Sequence, residues 1–207
     1  MPPRKKKSVA ATERNEEQRA AWRQQMNQQE TDRLVFLDEC GSHIALTPLY
    51  ARAPKGERAR SSVPRNQGKN LTLIASLSLE GMGASMLLEG GVNAPAFETY
   101  VEQLLAPSLQ PGQVVVMDNL SAYKGARVQQ LIEDRGCHLL FLPAYSPDFS
   151  PIEETFSKIK AFLRRAGART PEALQEAIAQ ALLTVTPQDA RGWFGHCGYL
   201  LPQERQS

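Results

Sequence analysis

Two apolar runs joined by one amphipathic segment constrain the fold of this chain most strongly. The runs are "VVVM" at 114–117 and "HLLF" at 138–141, and continuous apolar runs of this length are typical of strands covered on both faces. Between them, "GARVQQLIEDRG" has helical spacing and ends at Gly136. A strand, a helix and a strand in this order predict a parallel pair with a right-handed crossover, and therefore an α/β fold.

Three further strands are predicted upstream of this unit. "LVFLDEC" at 34–40 is a short apolar run, consistent with a central strand. "NLTLIASLSLEG" and "GASMLLEGG" run apolar or alternate on either side of a tight turn, which predicts an antiparallel pair. Helices are expected at about 94–106, at about 151–166 and from Pro171 onward.

The first 33 residues differ from the rest in character. "MPPRKKK" is basic, and the polar helix predicted after it has Trp22 and Met26 as its only large apolar residues, so it has little to bury on its own. We therefore predict one domain at 34–200, preceded by a basic tail and polar helix at 1–33 and followed by a tail at 201–207.

Composition favours a globular protein without a membrane span. Of the 207 residues, 42% are hydrophobic and 22% are charged, which argues against a fibrous or largely disordered chain. No apolar run approaches the roughly 20 residues that span a bilayer, and the start lacks the apolar core of a signal peptide. Cys40, Cys137 and Cys197 lie far apart, as expected in a reducing compartment. We expect a cytoplasmic protein.

Two of the predicted strands end in aspartates, Asp38 in "VFLDE" and Asp118 in "VVVMDN". The carboxyl ends of the strands in an open α/β sheet form the edge at which ligands bind. If the two strands are neighbours, the two carboxylates converge at that edge. Asp118 alone is weak evidence, because a strand-end Asp-Asn pair also begins turns well.

The segment "LPAYSPDFSPIEE" adds a third acid at the start of a helix. Ser150 can cap this helix and Pro151 suits its first position, so Glu153 can complete a capping box. The buried stripe predicted for the helix places Glu153 on its flank and Glu154 toward solvent. The stripe consists of Ile152, Phe156, Ile159 and Leu163. The residues alone leave two roles open for Glu153, a structural cap and a catalytic group.

Three carboxylates at one sheet edge would repel one another unless a cation neutralised them. Hard divalent ions with oxygen ligands, Mg²⁺ or Mn²⁺, suit such a set. Two of these ions activate a water or a 3′-hydroxyl and stabilise the leaving oxygen of an in-line displacement. Asp38, Asp118 and Glu153 therefore indicate phosphodiester cleavage or transfer with two bound ions.

Three motifs, "FLDECG", "VVVMDNLSAYKG" and "LPAYSPDFSPIEETFSKIK", together resemble the catalytic domain of the Tc/mariner superfamily of DDE transposases, in its bacterial insertion-sequence branch. The residues between Asp118 and Glu153 number 34, and this separation resembles that of the family's last two acids. Each motif is weak alone, but all three in order at this spacing are a strong signal. The resemblance covers about residues 33–200.

The resemblance implies a ribonuclease H-like (retroviral integrase-like) α/β fold, in which a three-strand meander and two parallel strands form a mixed five-stranded sheet flanked by helices. It implies Asp38, Asp118 and Glu153 as catalytic, metal-binding carboxylates. The implied reaction is Mg²⁺- or Mn²⁺-dependent cleavage and rejoining of double-stranded DNA at transposon ends, typically at a TA target, by a homodimer.

On this interpretation a basic segment at 51–69 and a few cations beyond it contact the DNA backbone. Phosphate contacts of this kind give affinity without reading sequence. A solvated loop is the alternative for any single cation. The predicted DNA-binding residues are Arg52, Lys55, Arg58, Arg60, Arg65, Lys69, Lys124, Lys160 and Arg164.

The chain departs from the family's pattern at three places. It has Tyr123 where relatives often have histidine, and Ser150 where they commonly have asparagine. Residues 1–33 are too few for the helix-turn-helix region, roughly 100 residues long, of full-length relatives. We therefore expect the catalytic half of a split element in a bacterial cytoplasm, with 1–33 as a linker or remnant of the junction and the recognition half supplied from an upstream reading frame.

Two other functions stay open at this point. A ribonuclease H-like nuclease or resolvase would cut structured nucleic acid without joining strands. A catalytically inert remnant would keep the fold and bind DNA or a partner transposase. The intact acids argue against decay, but they do not show that this chain is active without a recognition half.

Overall fold

The computed structural model describes residues 12–48, 50–60, 62–119 and 125–202. In these ranges a five-stranded mixed sheet forms the centre, in the order β3-β2-β1-β4-β5. The strands are β1 (Leu34–Ser42), β2 (Leu71–Ser78), β3 (Gly81–Glu89), β4 (Val114–Met117) and β5 (His138–Phe141). The first three pair antiparallel as a meander, and β4 and β5 continue parallel to β1. This arrangement confirms the predicted α/β fold class.

Strand β4 and the first four residues of β1, Leu34–Leu37, are apolar because each face of the sheet carries its own core. In the parallel pairing, Phe36 lies opposite Val116 and Leu37 lies opposite Met117. Successive side chains of a strand point to opposite faces. Phe36 and Val116 therefore enter one core, and Leu37 and Met117 enter the other. Burial on both faces explains the continuous apolar run of β4. The prediction of a strand covered on both faces at 138–141 is wrong, because β5 lies at the edge of the sheet and is half-buried, with His138 exposed.

Helices cover both faces of the sheet. They are α1 (Glu16–Asn27), α2 (Ala94–Tyr100), α3 (Ala106–Ser108), α4 (Ala126–Glu133), α5 (Pro151–Ala166), α6 (Pro171–Leu183) and α7 (Pro187–His196). A π-helical turn at Val101–Leu105 joins α2 to α3. Helices α1, α5, α6 and α7 pack on the core that contains Phe36, and α2, the π-helical turn and α4 pack on the other. No helix in the described part of the chain is long and apolar enough to cross a bilayer.

Helix α1 packs on the first core and buries the two large apolar residues that the sequence offers. Trp22 and Met26 are each only 5% exposed. Arg19, 2% exposed, donates two hydrogen bonds to the Asp148 carboxylate at 3.0 and 2.6 Å, and its guanidinium lies 4.0 Å from the centre of the Phe149 ring. The helix buries these groups because the rest of the fold supplies partners that an isolated helix lacks.

Helix α5 follows the predicted boundaries and carries the predicted stripe. It ends at Gly167, whose φ of 62° lies in the left-handed region that glycine adopts without strain. The buried stripe is Ile152, Phe156, Ile159 and Leu163. Because this face packs on the sheet, the first turn of α5 is held beside the carboxyl ends of β4 and β5.

Asp189 links α7 to α5 and provides a test of this packing. Its carboxylate accepts hydrogen bonds from Lys158 Nζ at 2.6 Å and from the backbone N and Oγ1 of Thr186 at 2.9 and 2.7 Å. The bonds from Lys158 and Thr186 lower the pKa of Asp189 to about 2. A lowered pKa stabilises the fold above the unfolded value of about 3.9, and this contribution is lost as the pH falls toward 2.

Asp189→Asn is therefore expected to lower the free energy of unfolding by about 1 kcal/mol at pH 7, the usual effect of losing a helix cap. Urea unfolding at pH 7, 4 and 2.5 measures this effect, and the variant should lose less stability on acidification than the parent. Glu172→Gln, in the first turn of α6, is the control. Equal urea midpoints of Asp189→Asn and the parent at pH 7 would contradict the prediction.

Candidate active site

Asp38 and Asp118 lie side by side at the carboxyl end of the parallel strands. The pairing of β1 with β4 ends at Leu37 and Met117, and an aspartate follows in each segment. Each aspartate comes two positions after a residue of the core that α5 covers, so both carboxylates are directed to that face. The structure thus brings together the two acids that end the predicted strands.

Glu153 joins these aspartates from the first turn of α5. Asp38, Asp118 and Glu153 border one cavity of about 340 Å³. Within the described ranges, no three acidic, histidine or cysteine side chains are gathered closely enough to hold a metal ion as they stand. The three carboxylates therefore border the same cavity, but their oxygen atoms do not converge on one position where a metal ion could bind.

The capping box predicted for Ser150 and Glu153 is wrong. Ser150 is the residue before α5, but its side chain makes no capping hydrogen bond. The backbone N–H of Ser150 donates instead to the carbonyl of Pro147 at 2.9 Å and closes a 3₁₀ turn at Pro147–Phe149. Because this N–H already has a partner, the Glu153 carboxylate has no structural role at the cap.

Glu154 faces solvent only in part, because it also contacts another helix. Its side chain is 37% exposed and lies 2.5 Å from Nδ1 of His196, at the end of α7. His196 lies 42 residues further along the chain, on another helix. A helical wheel of α5 alone therefore does not reveal this contact. The adjacent glutamates therefore differ in environment, since Glu153 borders the cavity with Asp38 and Glu154 contacts α7.

Burial and neighbouring charge make Asp38 the most strongly perturbed acid of the site. Burial raises its pKa to about 8, and the negative charges of Glu39, Glu153 and Asp118 act in the same direction. A hydrogen bond of 2.8 Å from the backbone N–H of Glu39 opposes this shift. In the part of the chain that the structure describes, the neighbouring charges that act on the pKa of Asp38 are all negative.

This donor set fits hard divalent ions. All three side chains offer carboxylate oxygens, the ligands that Mg²⁺ and Mn²⁺ prefer. A cation between the carboxylates of Asp38, Asp118 and Glu153 would relieve the repulsion that raises the pKa of Asp38.

Lys160 is a predicted DNA-binding residue that lies near this cluster. Burial raises the pKa of the Cys40 thiol, whereas the charge of Lys160 and a hydrogen bond from it oppose the rise. The same thiol senses the negative charges of Asp38 and Glu153. Lys160, about two helical turns beyond Glu153 on α5, therefore lies beside the same thiol that faces Asp38 and Glu153.

The other predicted DNA-binding residues lie further out. The cations of the basic segment that the structure describes are exposed and lie outside regular secondary structure: Arg52, Lys55, Arg58, Arg60, Arg65 and Lys69. Lys69 forms an ion pair with Glu89 at 2.8 Å. Arg164 is half-buried on α5. Lys124, like Tyr123, lies outside the described residues.

Arg169 holds the base of the basic segment. Its Nη1 donates to the carbonyl oxygens of Ile44 and Leu46 at 3.0 and 2.9 Å. Arg169 lies between α5 and α6, so these bonds tie the chain that leaves β1 to the end of the helix that carries Lys160.

Tyr145 is a site residue that the sequence analysis did not identify. It borders the carboxylate cavity, is 56% exposed and has a φ of 56°. A non-glycine residue in this region costs about 1–3 kcal/mol and tends to occur at functional sites. In the sequence, its position between Pro143 and Pro147 was the only signal.

A family model described as DDE superfamily endonuclease matches residues 33–175. The chain belongs to the DDE superfamily endonucleases. Asp38, Asp118 and Glu153 all lie inside the matched range. The match confirms the resemblance to DDE enzymes that the three sequence motifs indicated, and the sequence has no significant match among curated proteins.

Solved structures of the Mos1 mariner transposase share the fold of this DDE endonuclease. The Mos1 paired end complex with Mg is 16% identical, with a TM-score of 0.71 over 99% of this chain and 67% of the other. The pre-cleavage Mos1 transpososome is 17% identical, with a TM-score of 0.67, and 65% of its chain is covered. The Mos1 catalytic domain with raltegravir and Mn is 16% identical, with a TM-score of 0.67, and 94% of it is covered. The ribonuclease H-like fold is confirmed, and this chain spans about 65% of the Mos1 chain in the transpososome.

Proposed function

We propose that this endonuclease is the catalytic domain of a transposase, which cleaves DNA strands at transposon ends and joins them to a target. The observation that carries the proposal is the single cavity bordered by Asp38, Asp118 and Glu153 at the edge of a ribonuclease H-like sheet. The structural likeness to Mos1 in transpososome and paired-end complexes supports it.

The same three carboxylates would hold Mg²⁺ or Mn²⁺, and we propose two ions. Bound ions of this kind supply an activated water or 3′-hydroxyl and stabilise the leaving oxygen. Mos1 catalytic-domain structures with Mn and with Mg support the choice of metal. The chain positions its ligands on rigid elements, because Asp38 lies within β1 opposite Ala75 of β2 and Glu153 lies on a helix whose apolar face is buried.

Double-stranded DNA is the proposed partner, at transposon ends and at the target. Pairing two ends requires two active sites, so we propose a homodimer, together with a helix-turn-helix subunit encoded in an upstream reading frame. Translation of the DNA upstream of Met1 in all three frames tests the subunit, and the absence of a helix-turn-helix pattern there would argue strongly against it. The proposed location is the bacterial cytoplasm, at the nucleoid when DNA is bound.

A cleavage and joining assay on DNA that carries the element's ends tests the function. The parent chain, with and without the upstream subunit, is expected to nick end DNA in Mg²⁺ or Mn²⁺, to join the 3′ ends to a second duplex, and to do neither in EDTA. Cleavage of branched DNA without joining would support the nuclease or resolvase alternative. DNA binding without cleavage in either metal would support the inert remnant.

The exposed cations of the basic segment should contribute to DNA affinity through phosphate interactions. Each neutralised phosphate adds about 0.9 to the magnitude of the slope of log K against log salt. Arg58→Ala should therefore reduce this slope and weaken binding to duplexes of unrelated sequence by similar factors. Lys69→Ala should have the smaller effect because Lys69 already pairs with Glu89. Fluorescence-anisotropy titrations at several salt concentrations measure both variants, and an unchanged salt slope for Arg58→Ala would exclude a phosphate interaction at Arg58.

A further inference from the structure

The exposed ring of Tyr145 at the edge of the carboxylate cavity points to a contact with a nucleobase. We propose that Tyr145 stacks on a base beside the scissile phosphate and thereby positions that phosphate over the carboxylates. This inference rests on the proposed function, and it adds a residue that would bind the strand being cut.

The placement of Tyr145 is the first support. In the described ranges six large apolar or aromatic side chains are exposed, and Tyr145 is the one of these six that borders the cavity shared by Asp38, Asp118 and Glu153. Every base presents a π-face, so an exposed aromatic ring can stack on any of them. The ring therefore offers a sequence-tolerant contact at the position where the cut strand would lie.

The backbone of Tyr145 is the second support. Its φ of 56° is the only positive value for a non-glycine residue in the described part of the chain. Glycine or asparagine adopts this conformation more readily than tyrosine. The geometry of the turn therefore does not account for the aromatic ring, whereas a function of the ring does.

The turn is also anchored at both ends, so the ring is presented from a fixed support. Before it, the backbone N–H of Leu142 donates to the carbonyl of Met117 at 2.9 Å. After it, the N–H of Phe149 donates to the carbonyl of Ser146 at 3.0 Å, and the hydroxyl of Tyr199 donates to the carbonyl of Phe149 at 2.6 Å. The backbone of the turn therefore loses little conformational freedom when a ligand binds.

Charge explains why a base contact is useful at this position. Until divalent ions neutralise them, the three carboxylates repel DNA phosphate, so cations further out must supply most of the initial electrostatic attraction. Stacking does not depend on the sign of neighbouring charge and can hold the strand beside these acids. Stacking on Tyr145 would thus supply a local attraction to DNA that the acidic cluster itself does not.

Three variants separate the ring from the turn. Tyr145→Phe keeps the ring, whereas Tyr145→Asn and Tyr145→Gly remove it and suit the observed φ. The probe is end DNA with 2-aminopurine beside the scissile phosphate, because stacking quenches the fluorescence of this base. The parent and Tyr145→Phe should quench it. The Asn and Gly variants should not, and their DNA affinity and their cleavage rate at subsaturating DNA should fall about 5- to 150-fold, with the melting temperature unchanged or raised.

Quenching and cleavage at parental levels by the Asn and Gly variants, while Asp118→Asn is inactive, would reject the role of Tyr145 and leave the proposed function standing. A lowered melting temperature in both variants would show that the ring is structural and would also reject the role. Parental quenching without any strand cleavage would keep the stacking contact and reject the proposed function.

Discussion

Asp118→Asn is expected to abolish DNA strand cleavage by this chain, with a fall in rate on the order of 10³-fold or more. Asparagine keeps the size of the side chain and removes the charge with which Asp118 would hold a divalent ion. Because Asp118 is exposed and follows the last residue of β4, the melting temperature should stay within about 1–2 °C of the parent value. Single-turnover cleavage in Mg²⁺ and a thermal melt measure the two quantities.

Glu153→Gln should cause a similar loss, and Glu154→Gln is its matched control. The two glutamates are adjacent, but Glu154 contacts His196 and does not border the carboxylate cavity. Glu154→Gln should therefore cut at a rate close to that of the parent. If Asp118→Asn or Glu153→Gln cuts as fast as the parent, the assignment of the catalytic carboxylates is wrong.

Asp148→Ala is expected to have the largest effect on stability, a loss of about 2–3 kcal/mol in the free energy of unfolding, because it leaves the buried guanidinium of Arg19 with only the more distant and exposed Glu16 carboxylate, 3.5 Å away. Arg19 is 2% exposed, but the Asp148 side chain is 48% exposed, so the loss should be smaller than that for a fully buried pair. The melting temperature should fall by about 4–12 °C. Urea and thermal unfolding at pH 7 measure the change.

The pH dependence of this ion pair follows from the pKa of Asp148. Burial alone would raise this pKa, but hydrogen bonds and charge from Arg19, with the charge of Arg14, outweigh burial and lower it. The stabilisation is therefore present above the unfolded pKa of about 3.9 and is lost as the pH falls below it. The difference in stability between the parent and Asp148→Ala should shrink between pH 5 and 3.

Two further variants control for this effect. Arg14 lies 3.8 Å from the Asp148 carboxylate, and Arg14→Ala should cost less than about 1 kcal/mol, as is usual for a peripheral ion pair. The double variant Arg19→Met, Asp148→Leu should recover part of the stability, since apolar replacements of both partners leave no buried charge unpaired. If the losses in free energy of unfolding caused by the separate substitutions at Arg19 and Asp148 simply add in the double variant, the two residues are not coupled.

The elements that were predicted correctly are those whose hydrophobic pattern lies entirely within one segment of the sequence. Helix α5 shows this, because its stripe from Ile152 to Leu163 fixes both its period and its buried face. Strand β4 is apolar on both faces, and such a strand lies inside an α/β sheet that is covered on both sides. The meeting of Asp38 with Asp118 followed from the same logic, since neighbouring parallel strands bring their ends to one edge.

The features that the sequence did not show depend mostly on partners distant in sequence. Helix α1 is stabilised by an ion pair between Arg19 and Asp148, which lie 129 residues apart. The environment of Glu154 is set by His196 on another helix. The left-handed backbone of Tyr145 is not a preference of tyrosine, so residue type alone gave no warning of it. The DNA-binding roles of the basic residues are still predictions, because exposure alone does not distinguish a phosphate contact from a solvated cation.

The two hydrogen bonds of Arg169 bear on how enzymes of this kind can diversify. They fix the chain at Leu46, and the segment 47–70 re-enters the sheet where Leu71 pairs with Ser42, so both ends of the segment are held at the fold. Closing a loop depends only weakly on its length, and a doubling costs about 0.6 kcal/mol. The segment can therefore gain or lose residues while Asp38 keeps its place in β1. The DNA affinity proposed for this segment could therefore change during evolution without a change in the chemistry of cutting.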